Sequence, residues 1–303
     1  MKAPRFAVKL LKKKIVWQNH KKYKDTVFEK KYLPNRNIPY LDDDNDYHCF
    51  DLYHAEKNNA KGALLIDIHG GSYIFGHRSE NYPFGTQFLQ EGYDFITIDY
   101  VPNGDGQNVK DIVHQCILCI TYIINHLEEY GFSKDYPIYF TGDSAGGHLA
   151  LVITELFNDK EYARSLGYEL PNINLKAVLI NCPVFNYTDI GDGLLTKKAA
   201  KYMFGNEEGI DKEKRKLICP RIHLNSLSSP LFLSTCKNDF LRKSESLLLD
   251  KCMQAYYPDH KYVFIDLPSE EKEVSHVHNI LDLNHPESVK INKAMVAFMD
   301  ELL

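Results

Sequence analysis

The stretch Tyr139-Phe140-Thr141-Gly142-Asp143-Ser144-Ala145-Gly146-Gly147-His148 constrains this chain more than any other. An apolar, β-prone run over residues 137–140 ends in Gly-Asp-Ser-Ala-Gly, and helix formers follow over residues 148–157. The G-x-S-x-G pattern takes its meaning from that context of strand, tight turn and helix. A serine on such a turn projects its hydroxyl above the edge of the sheet. Gly142 and Gly146 are required there, because a side chain at either position would collide with the neighbouring strand or helix. Ser144 then stands at a helix N-terminus, where free backbone N–H groups favour negative charge. Glycine-rich turns of this kind also occur with no chemistry attached, so the rest of the chain has to decide.

Residues 63–68 form a near-continuous apolar run, as in a strand buried on both faces, and end in His69-Gly70-Gly71-Ser72-Tyr73. A helix-like segment covers residues 81–91, a strand 95–100, a turn-rich loop 102–108, and a helix runs from 109 to about 129. Beyond Ser144, residues 177–185, 231–235 and 262–265 read as strands, and residues 244–255 and 287–303 as helices. Upstream, two strands are expected within residues 32–54, around Asp42-Asp43-Asp44-Asn45-Asp46. That acidic run lacks the Gly and the distant Glu of a calcium loop and reads as a solvated hairpin turn. Strands alternating with helices predict an α/β fold, a mostly parallel sheet with helices on both faces. Residues 187–229 break the alternation and carry the charge run 211–216. An insertion there would lie over the C-terminal ends of the strands, where ligands bind in open α/β sheets.

Nothing in the middle of the 303 residues reads as a linker, so a single domain, 1–303, is expected. A net charge of −5 gives no basic face for nucleic acid. The apolar runs fall short of the roughly 20 residues that a membrane span needs, so no stable membrane insertion is expected. Residues 1–31 are basic and helical in pattern, and Lys9 and Lys12 to Lys14 interrupt the apolar run that an export signal would need. Packing over the site or simple solvation is the expected role of that segment. The seven cysteines are scattered through apolar contexts. Cys116 and Cys119 match C-x-x-C but fall inside a helical pattern, which favours packing over redox or metal chemistry. A cytoplasmic location is the simplest expectation.

A serine hydroxyl is a poor nucleophile. It needs a base to take its proton, and the base needs an orienting carboxylate. Where the nucleophile stands on a strand–turn–helix, the partners follow in the order Ser, Asp or Glu, His. The strand at 231–235 leads into Asn238-Asp239-Phe240-Leu241-Arg242, placing Asp239 at the mouth of a strand, and the loop after 262–265 holds His276 and His278. His69-Gly70-Gly71 follows a strand upstream of Ser144, as a loop of backbone oxyanion donors should, and Ala145 offers another donor. Each such donor is worth about 3–4 kcal/mol in the transition state.

In combination, H-G-G-S-Y, G-D-S-A-G-G, N-D-F-L-R and S-H-V-H resemble the hormone-sensitive-lipase-like family of α/β-hydrolases, whose pattern is H-G-G-G-W, G-D-S-A-G-G, D-x-L-R and H-G-F. The resemblance runs from about residue 60 to the C-terminus. It implies Ser144 as nucleophile, Asp239 as acid and His276 as base, with Gly70, Gly71 and Ala145 forming the oxyanion hole. A cap would come from about residues 1–31 and 187–229. The implied activity is hydrolysis of short-chain carboxylic esters, acetyl to about hexanoyl, through an acyl-serine intermediate. A small-molecule ester is then the partner, no cofactor or metal is needed, and a homodimer through an edge strand or the last helix is compatible with the family.

Three departures from the pattern matter. Ser72-Tyr73 replaces Gly-Trp, and Val101-Pro102-Asn103 replaces Y-R-L-A-P-E. His276-Val277-His278 replaces H-G-F, which leaves His278 as an alternative base. His69 and Asp143 read as supports rather than reacting groups. A zinc trio of His276, His278 and His285 lacks the carboxylates and spacing such a site needs, and His285 reads as the entry to the last helix. An amidase or formamidase would use the same triad. A ligand-binding receptor on this fold would typically have lost its base, whereas this chain keeps two candidates.

Overall fold

A computed structural model describes residues 35–103, 107–189 and 211–303. The expected cap element at residues 1–31 and the middle of the 187–229 insertion lie outside the described residues. The first half contains β1 (Asn35–Pro39), β2 (Cys49–Tyr53), β3 (Leu64–Ile68), α1 (Tyr82–Gln90), β4 (Asp94–Ile98), α2 (Val109–Asn125) and β5 (Pro137–Asp143). Then come α3 (Ala145–Asn158), α4 (Lys160–Ser165), β6 (Asn174–Asn181), α5 (Lys212–Lys216), α6 (Pro220–His223) and β7 (Leu231–Cys236). The chain closes with α7 (Leu247–Tyr256), β8 (Tyr262–Leu267), α8 (His278–Leu281) and α9 (Pro286–Asp300).

The strands form one sheet in the order β1-β2-β4-β3-β5-β6-β7-β8. β2 is antiparallel to both β1 and β4, and the pairings from β4 to β8 are parallel. This is the α/β-hydrolase arrangement. Its central strands are buried on both faces, and alternate side chains separate into two apolar layers. Leu64, Ile66 and Ile68 of β3 join Ile138 and Phe140 of β5 in the layer covered by α2 and α3. Leu65 and Tyr139 point the other way, against Phe84 and Phe88 of α1 and Ile291 and Met295 of α9. A one-residue slip in any central strand would exchange the layers, so register is fixed by burial.

Local signals set most of the boundaries. Asn108 and Asp111 form a capping box at the start of α2: Asn108 Oδ1 accepts the amide of Lys110 at 2.8 Å, and Asp111 Oδ2 accepts that of Asn108 at 2.8 Å. Cys116 and Cys119 are buried on the core side of this helix, and burial pushes both thiols up. β6 ends earlier than its apolar run implies, because Cys182 takes a left-handed φ of 46° and turns the chain toward Pro183. The acidic run is a turn between β1 and β2, in which Asp43 accepts the amide of Asn45 at 3.0 Å. Because the central strands are parallel, the loops after β3, β5, β7 and β8 emerge at one edge of the sheet. Those loops carry His69 to Tyr73, Ser144, Asp239 and His276.

Candidate active site

Ser144 occupies the turn between β5 and α3 with φ 53° and ψ −116°, a backbone state that costs a non-glycine residue about 1–3 kcal/mol. The surroundings hold it there. Its amide donates to Asn181 O at 2.9 Å, and its carbonyl accepts the amides of Val184 and His148, each at 3.2 Å. The flanking glycines have no alternative. A Cβ at Gly142 would lie 2.4 Å from Gly146 O, and one at Gly146 would lie 1.9 Å from Ile68 O.

Asp239 follows β7 and is buried. Oδ2 accepts the Thr235 hydroxyl at 2.8 Å, and Oδ1 accepts both the Leu241 amide at 3.0 Å and His276 Nδ1–H at 2.7 Å. Burial pushes this carboxyl up, but the hydrogen bond and charge of His276, with the Leu241 amide and Thr235 hydroxyl, outweigh it and hold it below its ordinary value. His276 Nε2 lies 2.9 Å from Ser144 Oγ, so one imidazole bridges the serine and the carboxylate. The His276 loop is fixed from two directions. Asn238 pairs with Ser275 and donates to Val274 O at 3.1 Å, while Val277, at a left-handed φ of 51°, donates its amide to Cys182 Sγ at 3.4 Å. His278 begins α8, buried, and its carbonyl accepts the Ser288 hydroxyl at 3.2 Å. His285 caps α9, where its Nδ1 accepts the Glu287 amide at 3.2 Å. Among the described residues, the group whose ligand atoms converge is Cys182, Asp239 and His276, within 4.8 Å of one another. Asp239 and His276 in that group are already bonded to each other.

The loop after β3 departs from expectation at one residue. The Gly70 amide donates to Asp143 Oδ1 at 3.0 Å, so it is engaged within the protein and is not open to a substrate oxygen. The Gly71 and Ala145 amides have no such acceptor among the described residues, and Ala145 is the first residue of α3. Gly71 sits at φ 114°, and a Cβ there would lie 2.0 Å from Phe75 O. Ser72 and Tyr73 continue in left-handed conformations at φ 53° and 63°.

A buried polar frame supports this loop. His69 Nε2 bonds Asp99 Oδ1 at 2.9 Å and its Nδ1 bonds Gly70 O at 2.8 Å, while the Tyr100 hydroxyl donates to His69 O at 2.9 Å. Burial alone would lower the pKa of His69. The hydrogen bond and charge of Asp99, with the Gly70 carbonyl, raise it to about 9. The imidazolium then donates from both nitrogens. Arg78 completes the frame, donating to Asp99 Oδ2 at 2.8 Å and to Asp51 Oδ1 at 3.1 Å. On the other side, Asn81 Nδ2 donates to Asp143 Oδ1 at 2.9 Å and to Asp67 Oδ1 at 3.2 Å. Burial, then the charge of Asp143, push Asp67 up to about 8. Asp143 therefore acts through Gly70, as a support. Asn81, Arg78, Asn181 and Cys182 carry no motif signal, and their neighbours become visible only once the sheet is assembled.

Ser144 and His276 open onto a cleft of about 280 Å³. Its lining includes Gly71, Ser72 and Phe75 from the loop after β3, and Phe240, Ile280 and Leu281. The family model described as BD-FAE matches residues 50–252. The chain belongs to the BD-FAE family. That match runs from β2 through Ser144 and Asp239 into α7 and stops short of the His276 loop. Among curated relatives, a probable isoprenylcysteine alpha-carbonyl methylesterase of Arabidopsis thaliana is 27% identical over 126 residues, 41% of this chain and 26% of the relative. The probable carboxylic ester hydrolase LipM of Mycobacterium tuberculosis is 22% identical over 182 residues, 59% of this chain and 41% of LipM. The chain therefore spans less than half the length of either. In fold, this BD-FAE member is similar to inhibited esterase B from Lactobacillus rhamnosis, with a TM-score of 0.86 at 22% identity, covering 98% of this chain and 95% of that one. A bacterial heroin esterase gives 0.69 at 17% identity, covering 96% and 90%. The α/β-hydrolase fold read from the motifs is thus the fold found. Among the described residues, no helix is long and apolar enough to cross a membrane.

Proposed function

We propose that this chain is a serine carboxylic ester hydrolase with Ser144 as nucleophile, His276 as general base and acid, and Asp239 as the orienting carboxylate. The observation that carries the reading is the bridging imidazole, 2.9 Å from Ser144 Oγ and 2.7 Å from Asp239 Oδ1. His276 Nε2 takes the Ser144 proton as Oγ attacks the ester carbonyl, and Asp239 stabilises the imidazolium without being protonated. The Gly71 and Ala145 amides receive the developing oxyanion. Their preorganised dipoles need no rearrangement as charge develops. His276 then protonates the departing alcohol, and the same nitrogen activates the water that releases the acid. The cycle uses side chains, backbone and water alone. A cleft of about 280 Å³ lies at the small end of ligand sites, which supports short acyl chains. The burial of Cys116, Cys119, Cys182, Cys219 and Cys236 as packing groups supports a cytoplasmic setting.

The test is turnover of p-nitrophenyl acetate, butyrate, octanoate and palmitate by the wild type and by Ser144→Ala, His276→Ala and His278→Ala. The wild type is expected to prefer acetate and butyrate. Ser144→Ala and His276→Ala should each lower kcat by about 10⁴–10⁶-fold, and His278→Ala should leave it within a few-fold. A folded wild type that cleaves none of the four would overturn the reading.

A further inference from the structure

Phe240 stands out in the cleft. The residue is 71% exposed, yet its ring centroid lies 4.4 Å from that of His276, whose side chain is itself 20% exposed. It follows Asp239 directly, so the loop that presents the carboxylate to one ring nitrogen of His276 also brings an aromatic ring against the imidazole, tilted by 48°. A single exposed Phe is ordinary on a protein surface. The position is what distinguishes this one, since it lines the cleft together with Ile280 and Leu281 of α8, the short helix that begins two residues after His276.

Reaction geometry says which part of a substrate meets this wall. The imidazole that removes the Ser144 proton must deliver it to the oxygen of the leaving alcohol, so that oxygen has to come within hydrogen-bond reach of His276 Nε2. The alcohol part of the ester therefore leaves on the His276 side, and the acyl carbonyl points toward Gly71 and Ala145. A side chain packed on the His276 ring and open to the cleft lies beside the alcohol.

We propose that Phe240, Ile280 and Leu281 form a subsite for the alcohol part of the ester, and that its ligands are apolar, ring-bearing or longer alkyl alcohols. This rests on the hydrolase reading for its chemistry and adds the substrate class. The apolar face of the alcohol covers the Phe240 ring and removes both surfaces from water, with no new hydrogen bond needed.

The experiment compares wild type, Phe240→Ala and Phe240→Trp on two substrate series. One holds the acetyl group fixed and sets 2-phenylethyl acetate against ethyl acetate. The other holds p-nitrophenol fixed and sets butyrate against acetate. Phe240→Ala is expected to lower kcat/KM for 2-phenylethyl acetate about tenfold relative to that for ethyl acetate, mainly through KM. The butyrate-to-acetate ratio should not move, and Phe240→Trp should restore the preference for the aromatic alcohol. An equal loss on both alcohols would mean the ring acts on His276 rather than on substrate, and would overturn the proposal. A changed acyl ratio, or no change at all, would overturn it as well. Binding of 2-phenylethanol, followed by ligand-detected NMR, reads the subsite without turnover. Phe240-dependent binding in a chain that cleaves no ester would sink the hydrolase reading and support the subsite. Ester cleavage with no Phe240-dependent binding would sink the subsite alone.

Discussion

At Asp239 a carboxylate is held by three separate donors, of which His276 is one and the Leu241 amide and Thr235 hydroxyl are the others. The second pair fixes the carboxylate plane whether or not His276 is in place. Asp239→Ala would remove both the acceptor of His276 Nδ1–H and the charge that stabilises the imidazolium. Nothing would then select the tautomer that offers Nε2 to Ser144 as a base. Steady-state kinetics are expected to show kcat lower by about 10⁴-fold with KM little changed, and a loss under tenfold would argue that Asp239 does not orient the base. At this scale the sequence was most legible where chemistry dictates residue type: Ser144, Asp239 and His276 each stood after a strand in the necessary order. It was least legible at Gly70. The motif marks this residue as a backbone donor, but its amide is taken by Asp143, 73 positions away, and no local signal reveals that.

Among the elements, the β5–α3 turn leaves no room for change. Gly146→Ala places a methyl group 1.9 Å from the carbonyl of Ile68, which is backbone and part of the central sheet. The strand or the helix must move. Destabilisation of about 1–3 kcal/mol or more is expected, with a lower denaturation midpoint and reduced soluble yield. Strand runs were readable because burial on both faces leaves long apolar segments. Their ends were harder to read. β6 looked as though it reached Phe185, because Cys182, Pro183 and Val184 are as apolar as the strand itself. What stops it is the left-handed turn at Cys182, which also presents the sulfur to Val277. The start of α7 is similar: a π-helical turn over Arg242–Ser246 precedes it, and lets Glu245 accept the amides of Phe185 at 2.9 Å and Asn186 at 2.7 Å.

For the molecule as a whole, buried ionisable groups beneath the site make stability depend on pH in a defined direction. Asp67 is raised from 3.8 to about 8 by burial and then by Asp143, so between those values the folded chain keeps a proton that the unfolded chain releases. His69, raised from 6.5 to about 9, does the same over its own interval. Both terms favour the unfolded chain as pH rises, so the melting temperature should fall from about pH 6.5 to pH 9. Asp239 runs the other way. Its depressed pKa adds stability above the ordinary carboxylate range, and that contribution is lost in acid. Thr97 donates to Arg78 O at 2.9 Å and keeps a lone pair 3.3 Å from Asp67 Oδ2, so an amide can replace the protonated carboxyl. Asp67→Asn should fold and flatten the alkaline decline. An unchanged slope in that variant, read by thermal melts across the range, would show that Asp67 does not titrate there.

Asp143 is the chain neighbour of Ser144, and its carboxylate grips the amide of Gly70. In the proposed mechanism, the atom that attacks and the loop that receives the resulting charge are thereby tied to each other through one carboxylate. His276 reaches Ser144 from a separate loop, which is pinned in turn through Asn238 and Cys182.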